Sequence, residues 1–357
     1  MARAWDNQRI IGLVGPRGSG KTTLVQALIG SRLATGDLVP ESLSPVVSVV
    51  RWRDTDVVLL DGMEPAPLLL AADALMFVLS SADGVDAETA ELWHRCIEQE
   101  IPRIVVITEL DHPRADMDET VAVLRRLFSD GPELLRLTMP VLDDDSSLAG
   151  FIDLGSTEIW NWTTQPFSRQ ASDPEHIALI AEAREELIAD LAMMSDDNRL
   201  AESLHLGMQP SLALIEQAMN DTSASGHAQL VVGTGLRDGA TLVGAELLLD
   251  LLVNALPSPA DRPAPVTVRA DGTPVLPIAP GPGSPLLATV VRAEPLAPTL
   301  VRLYAGSLQE EMAVDCVQTF RARALSVVPQ LAWLETDQPL ACGQTLSSVH
   351  EPLLIQR

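Results

Sequence analysis

Lysine is almost missing from this chain. Of 357 residues, 24 of them basic, one is lysine, at position 21. Aromatic residues make up 3% of the chain and there is one tyrosine. Cysteine is also scarce. Cys96, Cys316 and Cys342 are scattered, with no Cys-x-x-Cys pair, so neither a disulfide framework nor a zinc site is suggested and a reducing cytoplasm is the expected compartment. No stretch is basic. The formal charge is −25, and acids outnumber bases in 1–135, 136–280 and 281–357 alike. Direct DNA binding through a positive face is therefore not expected, and a protein surface is an easier partner. Long apolar runs are lacking too: Ala66 to Ser80 is interrupted by Asp73 and is too short to span a bilayer. Met1 to Gln8 is polar, so a signal peptide is not expected.

What is present centres on the lone lysine. Gly15-Pro16-Arg17-Gly18-Ser19-Gly20-Lys21-Thr22 fits the phosphate-binding Walker A pattern without a mismatch. Its context fits as well: Arg9 to Val14 reads as a buried strand, and Thr23 to Ile29 as a helix. Gly15, Gly18 and Gly20 allow the tight turns that aim successive N–H groups and the helix N-terminus at phosphates. Lys21 is expected to reach the β- and γ-phosphates, and the Thr22 hydroxyl to bind Mg²⁺.

The rest of the pattern alternates strand and helix. Pro45 to Trp52, Thr55 to Leu60, Ala74 to Ser80 and Arg103 to Thr108 read as strands, with helices at Leu68 to Ala72, Ala87 to Gln99 and Met117 to Phe128. Such alternation predicts an α/β fold with a mostly parallel sheet, its ligand beyond the carboxyl ends of the strands. Short strands are expected from about Leu134 to Asp153. Helices follow at Pro174 to Met194, Pro210 to Met219 and Ala240 to Ala255, with a buried strand at Gln229 to Val232. Residues 256–285 hold nine prolines and read as a linker. Pro285 to Arg292, Leu300 to Tyr304 and Ala322 to Val328 then read as strands of a small β-barrel. The expected organisation is a nucleotide-binding domain over 1–256 with a subdomain inserted at about 134–228, a Pro-rich linker over 257–284, and a barrel over 285–357.

Several stretches carry a family resemblance. Ala71-Ala72-Asp73-Ala74-Leu75-Met76-Phe77-Val78-Leu79-Ser80-Ser81-Ala82-Asp83-Gly84-Val85, then Leu92-Trp93 and Ile101-Pro102-Arg103-Ile104-Val105-Val106, resemble the G domain of bacterial elongation factor G. Arg114-Ala115-Asp116-Met117-Asp118, Gly150-Phe151-Ile152-Asp153-Leu154 and Leu256-Pro257-Ser258-Pro259 continue it. Pro285 to Val291, Val301-Arg302-Leu303-Tyr304-Ala305-Gly306-Ser307-Leu308 and Gly343-Gln344-Thr345-Leu346 are similar to that family's barrel domain. The resemblance implies a P-loop GTPase fold with an inserted subdomain and a following barrel, GTP or GDP with Mg²⁺ as ligand, and the ribosome or a ribosomal protein as partner. The family continues with three further domains, so this chain by itself is not expected to translocate.

The nucleotide motifs implied by the resemblance are uneven. Leu60-Asp61-Gly62-Met63-Glu64-Pro65-Ala66 aligns with the family's Asp-Thr-Pro-Gly-His. Asp61 is retained as the expected Mg²⁺-side carboxylate. Glu64 replaces the γ-phosphate-sensing glycine, and the water-orienting histidine is absent, since the first histidine of the chain is His94. Slow hydrolysis and no assignable catalytic residue follow. The first switch loop is short, with Ser44 or Ser48 as stand-ins for its threonine. Thr108-Glu109-Leu110-Asp111 stands for Asn-Lys-x-Asp: Asp111 is expected to accept from guanine N1 and N2, Thr108 to replace the asparagine in part, and Glu109 not to cover the base. Gly233-Thr234-Gly235 matches the final loop, whose N–H groups are expected to face guanine O6. The nucleotide-binding set is thus Gly15, Pro16, Arg17, Gly18, Ser19, Gly20, Lys21, Thr22, Thr23, Thr108, Asp111, Gly233 and Thr234, with Thr22 and Asp61 for the metal. Two other readings stand beside it, a non-catalytic binding module whose nucleotide only stabilises the fold and an ATP-using P-loop enzyme, which Asp111 disfavours. Asp143-Asp144-Asp145 reads as a solvated turn, Trp93 and His94 as packing or surface residues, and at least one of Trp160 and Trp162 as buried.

Overall fold

The computed structural model describes residues 7–30, 46–129, 133–164, 166–224, 228–262, 265–275, 278–281, 283–295, 297–315, 318–328, 330–349 and 353–355. β1 (Gln8–Val14) runs through the glycine loop into α1 (Lys21–Gly30). β2 (Val47–Trp52) and β3 (Thr55–Leu60) form a hairpin, followed by α2 (Pro65–Ala71), β4 (Ala74–Ser80), α3 (Ala87–Glu98), β5 (Arg103–Thr108) and α4 (Met117–Leu127). Then come β6 (Glu133–Arg136), β7 (Thr138–Leu142), β8 (Leu148–Asp153), β9 (Glu158–Asn161), β10 (Ser168–Ala171), α5 (Pro174–Met194), α6 (Arg199–His205) and α7 (Leu212–Ala224). The chain re-enters the large sheet at β11 (Ala228–Gly233), turns through β12 (Gly235–Arg237) and β13 (Thr241–Val243), and continues in α8 (Ala245–Asn254). The remainder is β14 (Thr267–Val268), β15 (Pro274–Val275), β16 (Leu287–Arg292), β17 (Thr299–Ala305), β18 (Glu311–Val314), β19 (Gln318–Val328), β20 (Leu331–Thr336), β21 (Thr345–Ser348) and β22 (Leu354–Ile355).

The large sheet has strand order β2-β3-β1-β4-β5-β11-β6. Parallel pairing joins β1 to β3, β4 to β5, and β11 to both β5 and β6; β2 is antiparallel to β3. Parallel strands covered on both faces need apolar side chains throughout. Every residue of β4 and of β5 is buried. The expected P-loop α/β fold with a barrel is what the chain adopts. β6, which the expected insertion at about 134 would include, pairs with β11 in the large sheet; the separate four-stranded sheet, ordered β10-β9-β8-β7, begins at β7. Carboxylates cap α3, α4 and α5: Asp86 accepts from Thr89 N–H, Asp116 from Glu119 N–H, and Asp173 from both Glu175 and His176 N–H. The start of α8 also differs from the sequence expectation. The first residues of the predicted helix at Ala240 form β13 instead, because Asp238 and Gly239 take left-handed backbone angles that close a hairpin with β12.

Two compact units divide the chain, one comprising 1–12, 35–73 and 257–357 and the other 13–34 and 74–256, so that β1 passes from the first to the second. In the first unit β16-β17-β20-β19-β18-β21 close a barrel around Ala288, Val290, Val301, Met312, Phe320 and Leu346. Its Arg302 donates to Asp73 at 2.6 Å, both side chains being almost wholly buried. Arg262 lies 3.5 Å from the same carboxylate and donates to Ala72 O, and Tyr304 donates to Leu70 O at 2.8 Å. The barrel thereby grips the C-terminal turn of α2. Desolvation pushes the Asp73 carboxyl up from its usual range, while Arg302 and Arg262 oppose it.

In the second unit, Trp93 is fully buried, stacked on Phe128 at 4.1 Å and edge-on to Phe77 at 4.8 Å. Both Trp160 and Trp162 are buried, and Trp162 donates to Glu246 at 2.8 Å. Cys96 lies in this core, and burial pushes its thiol up to about 11, with Arg103 and Arg95 opposing. No helix is long and apolar enough to cross a membrane among the described residues.

Two measurements check these packing arguments. Asp73→Asn leaves the buried guanidinium of Arg302 without its counter-charge, and an unfolding titration is expected to show a loss of about 3–5 kcal/mol. For Cys96 the folded thiol ionises later than the unfolded one, so stability falls as pH rises from about 9 towards 11. The difference in pH slope between the wild type and Cys96→Ala over that window, integrating to about 2–3 kcal/mol, isolates the thiol.

Candidate functional site

The glycine loop is shaped by a close approach. Gly15 has φ 144°, and a Cβ there would overlap the carbonyl oxygen of Val78 in β4. Gly18 and Gly20 have φ of 88° and 81°, in the left-handed region that disfavours side chains. Pro16, Arg17 and Ser19 complete the turn, with Arg17 exposed and Ser19 buried. Lys21 opens α1 and folds back over the loop, its Nζ donating to Gly15 O at 2.7 Å and Pro16 O at 2.6 Å and lying 3.4 Å from Ser19 Oγ. Thr22 and Thr23 follow on the exposed side of the first turn. Buried Leu24, Val25 and Leu28 anchor the helix behind them.

The β5 end meets this loop directly. Thr108 is 5% exposed, and its hydroxyl donates to Ser19 O at 2.8 Å, with Leu79 O at 3.2 Å as a second acceptor. The methyl and hydroxyl of Thr108 also lie within van der Waals reach of a Cβ built on Gly20. Thr108 therefore fixes the loop instead of facing outward to a base. Next to it Glu109 takes φ 60°, and its carboxylate accepts from Ser80 Oγ. Ser80 Oγ accepts in turn from Ala82 N–H at 3.1 Å and Asp83 N–H at 3.2 Å, and Ser81 donates to Glu109 O at 3.1 Å. These serines join the ends of β4 and β5 and were not picked out in the sequence. The cue for them was two hydroxyls immediately after an apolar strand, where side chains bond nearby backbone in preference to extending it.

Asp111 is exposed, and its Oδ1 accepts from Leu236 N–H at 2.9 Å. Gly235 permits that approach, since a Cβ there would come within 2.9 Å of Asp111 Oδ1. Two N–H groups of the Gly233-Thr234-Gly235 stretch, expected from the resemblance to face guanine O6, have partners within the fold. Gly233 N–H donates to Thr138 Oγ1 at 3.1 Å and Thr234 N–H to Ile107 O at 2.8 Å, so the protein's own acceptors use both. Thr234 is 1% exposed. Gly233 is needed for packing, as a Cβ would strike Leu110 and Phe151.

Asp61 lies in the other compact unit, directly after β3, its N–H donating to Val46 O at 3.0 Å. Gly62 follows with φ 76°, and Glu64 occupies the N-cap of α2. No histidine stands near this turn in sequence. Ser48 is in β2, paired with Leu59; Ser44 and Cys316 fall outside the described residues. Among the described residues no group of three or more His, Cys, Asp or Glu is placed to hold a metal. The Asp143–Asp145 run is a turn, tied by an Arg237–Asp143 ion pair of 2.7 Å and by Ser147 N–H on Asp145. Hydroxyl and carboxylate oxygens such as those of Thr22 and Asp61 suit Mg²⁺, which takes few protein ligands and completes its shell from phosphates and water.

The model of the family described as elongation factor Tu GTP binding domain matches residues 64–276. This chain belongs to that family. Within it, the chain is elongation factor G-like. It is 29% identical over 335 residues to the elongation factor G-like protein of Mycobacterium tuberculosis, covering 86% of this chain and 45% of that one. It is 27% identical over 340 residues to elongation factor G 2 of Geobacter metallireducens, covering 85% and 48%. It is also 29% identical over 226 residues to the mitochondrial ribosome-releasing factor 2 of Drosophila sechellia, covering 59% and 32%. The chain thus spans about half the length, or less, of the curated relatives it matches. A crystal structure from Thermus thermophilus superposes with a TM-score of 0.73 at 23% identity, over 96% of this chain and 54% of that one, and shows the same fold. The family match begins at Glu64, beyond the glycine loop, so the loop's geometry is an observation separate from it.

The Thr108–Ser19 bond yields a test. Thr108→Val keeps the shape and removes the donor, at a cost of about 1 kcal/mol in loop order. Titration with a fluorescent guanine nucleotide is expected to show roughly five- to tenfold weaker binding, with the melting temperature little changed.

Proposed function

We propose that this elongation factor G-like chain binds GTP and GDP with Mg²⁺ and hydrolyses GTP slowly, or only when a partner supplies what the site lacks. The observation that carries the reading is the glycine loop: three glycines at positive φ, Lys21 at its mouth, and the β5 end clamped to it by Thr108. In this reading residues 15–23 hold the phosphates, Thr22 and Asp61 serve the metal, and Asp111 accepts from the guanine N1 and N2 donors. Thr108, Gly233 and Thr234 shape the pocket without touching the base. Phosphoryl transfer rests on positioning and on stabilising charge. With Glu64 where the sensing glycine would be and no histidine beside it, the attacking water is left without an orienting group.

The nucleotide domain is proposed to run over 1–256 with its insertion at about 134–228, and 257–284 to connect it to the barrel at 285–357. A ribosomal surface is the proposed partner and the cytoplasm the proposed location, in keeping with relatives named as elongation and ribosome-releasing factors. The 357 residues alone are proposed not to translocate, since they match about half of elongation factor G 2.

A second reading has its own support. The Lys21 ammonium is hydrogen-bonded to Gly15 O and Pro16 O, so the loop holds its shape with protein acceptors, as a structural nucleotide site or a non-catalytic docking module would. One experiment separates the two. The protein is purified gently and denatured, and released nucleotide is identified by chromatography, with Lys21→Ala as control. GDP or GTP from the wild type alone, followed by turnover far below that of an intact translational GTPase, is the expected result. Absence of nucleotide, together with no thermal shift on adding GTP and Mg²⁺, would leave the docking reading.

A further inference from the structure

The barrel-bearing unit has a small, partly open recess with about 10 Å³ of room for a water-sized probe, bordered by Asp73, Arg262, Arg302, Tyr304 and Gln330 among others. Three of these side chains bring buried polar atoms without a partner: Asp73 Oδ2, Arg302 Nε and Nη1, and Gln330 Oε1 and Nε2. All three residues are at most 4% exposed. Gln330 sits in the turn between β19 and β20 with φ 60°, and its carbonyl accepts from Leu303 N–H at 2.8 Å. A buried polar atom left unpaired costs about 1–3 kcal/mol, so five around one recess require an occupant.

We propose that this recess is a binding site for one buried water molecule, bridging Asp73, Arg302 and Gln330. The room suits one water, which needs roughly 10–15 Å³. The chemistry of the wall selects it as well. Arg302 and the Gln330 amide nitrogen donate, whereas Asp73 Oδ2 and the Gln330 amide oxygen accept. A water, with two donors and two acceptors, can meet atoms of both kinds, up to four of the five. A halide only accepts and would lie against the carboxylate; a cation would lie against the guanidinium. The water completes the network by which the barrel holds the end of α2, where Arg302 reaches Asp73, Arg262 reaches Ala72 O and Tyr304 reaches Leu70 O. It is a joint independent of whether the nucleotide site turns over.

The whole chain serves for the test. A crystal structure at a resolution that shows ordered solvent is expected to contain one isolated peak at roughly 2.7–3.2 Å from Asp73 Oδ2 and from an Arg302 nitrogen. Empty density there, or an anomalous peak at that position after a bromide soak, overturns the proposal. Gln330→Leu gives an independent answer in solution. If the recess is wet, losing the amide strips the water of partners and lowers the melting temperature by roughly 2–4 °C. If it is dry, the same change removes two unpaired polar atoms and raises it, which also overturns the proposal.

Discussion

Position 15 tolerates no side chain. The backbone there passes so close to the Val78 carbonyl that a Cβ would overlap it, and this contact ties the mouth of the glycine loop to the carboxyl end of β4. Everything that reads as a nucleotide site is arranged against that fixed point. Lys21 bonds to the carbonyl of the same glycine, and Thr108 reaches Ser19 four residues on and Leu79 beside Val78. The loop, the β4 end and the β5 end are therefore one hydrogen-bonded body, assembled before any ligand is considered. Pre-organisation of this kind lowers the ordering cost of binding.

Much of this was legible in the sequence because the signals were local and unambiguous. Apolar runs such as Ala74 to Ser80 and Arg103 to Thr108 have one physical solution in a doubly covered parallel sheet, and the glycine loop declares its own geometry. Proline marks the first turn of α5, with Asp173 as its cap. What was not legible depended on partners distant in the chain. Nothing around Thr234 reveals that its N–H is used by Ile107, more than a hundred residues earlier, and the same holds for Gly233 and Thr138. Asp238-Gly239 was readable in principle as a hairpin turn, but the apolar run behind it drew the predicted helix start too early.

The buried charges follow the same logic on the barrel side. Asp73 interrupts an apolar stretch, and sequence alone treats that as a break in a membrane-like run. In the fold it is the acceptor for Arg302, a residue 229 positions away. Neither member is tolerable alone in an apolar interior; together they specify where α2 ends against the barrel. Removing either member leaves the other charge buried and uncompensated.

The lysine content has a practical side. In a chain with one side-chain ammonium, held by two loop carbonyls at 2.6–2.7 Å, side-chain amine chemistry is confined to the glycine loop. Apart from the chain terminus, any acylating reagent that modifies this protein on an amine reports the state of the glycine loop and nothing else. The molecule thus carries its own single-position probe, placed there by composition.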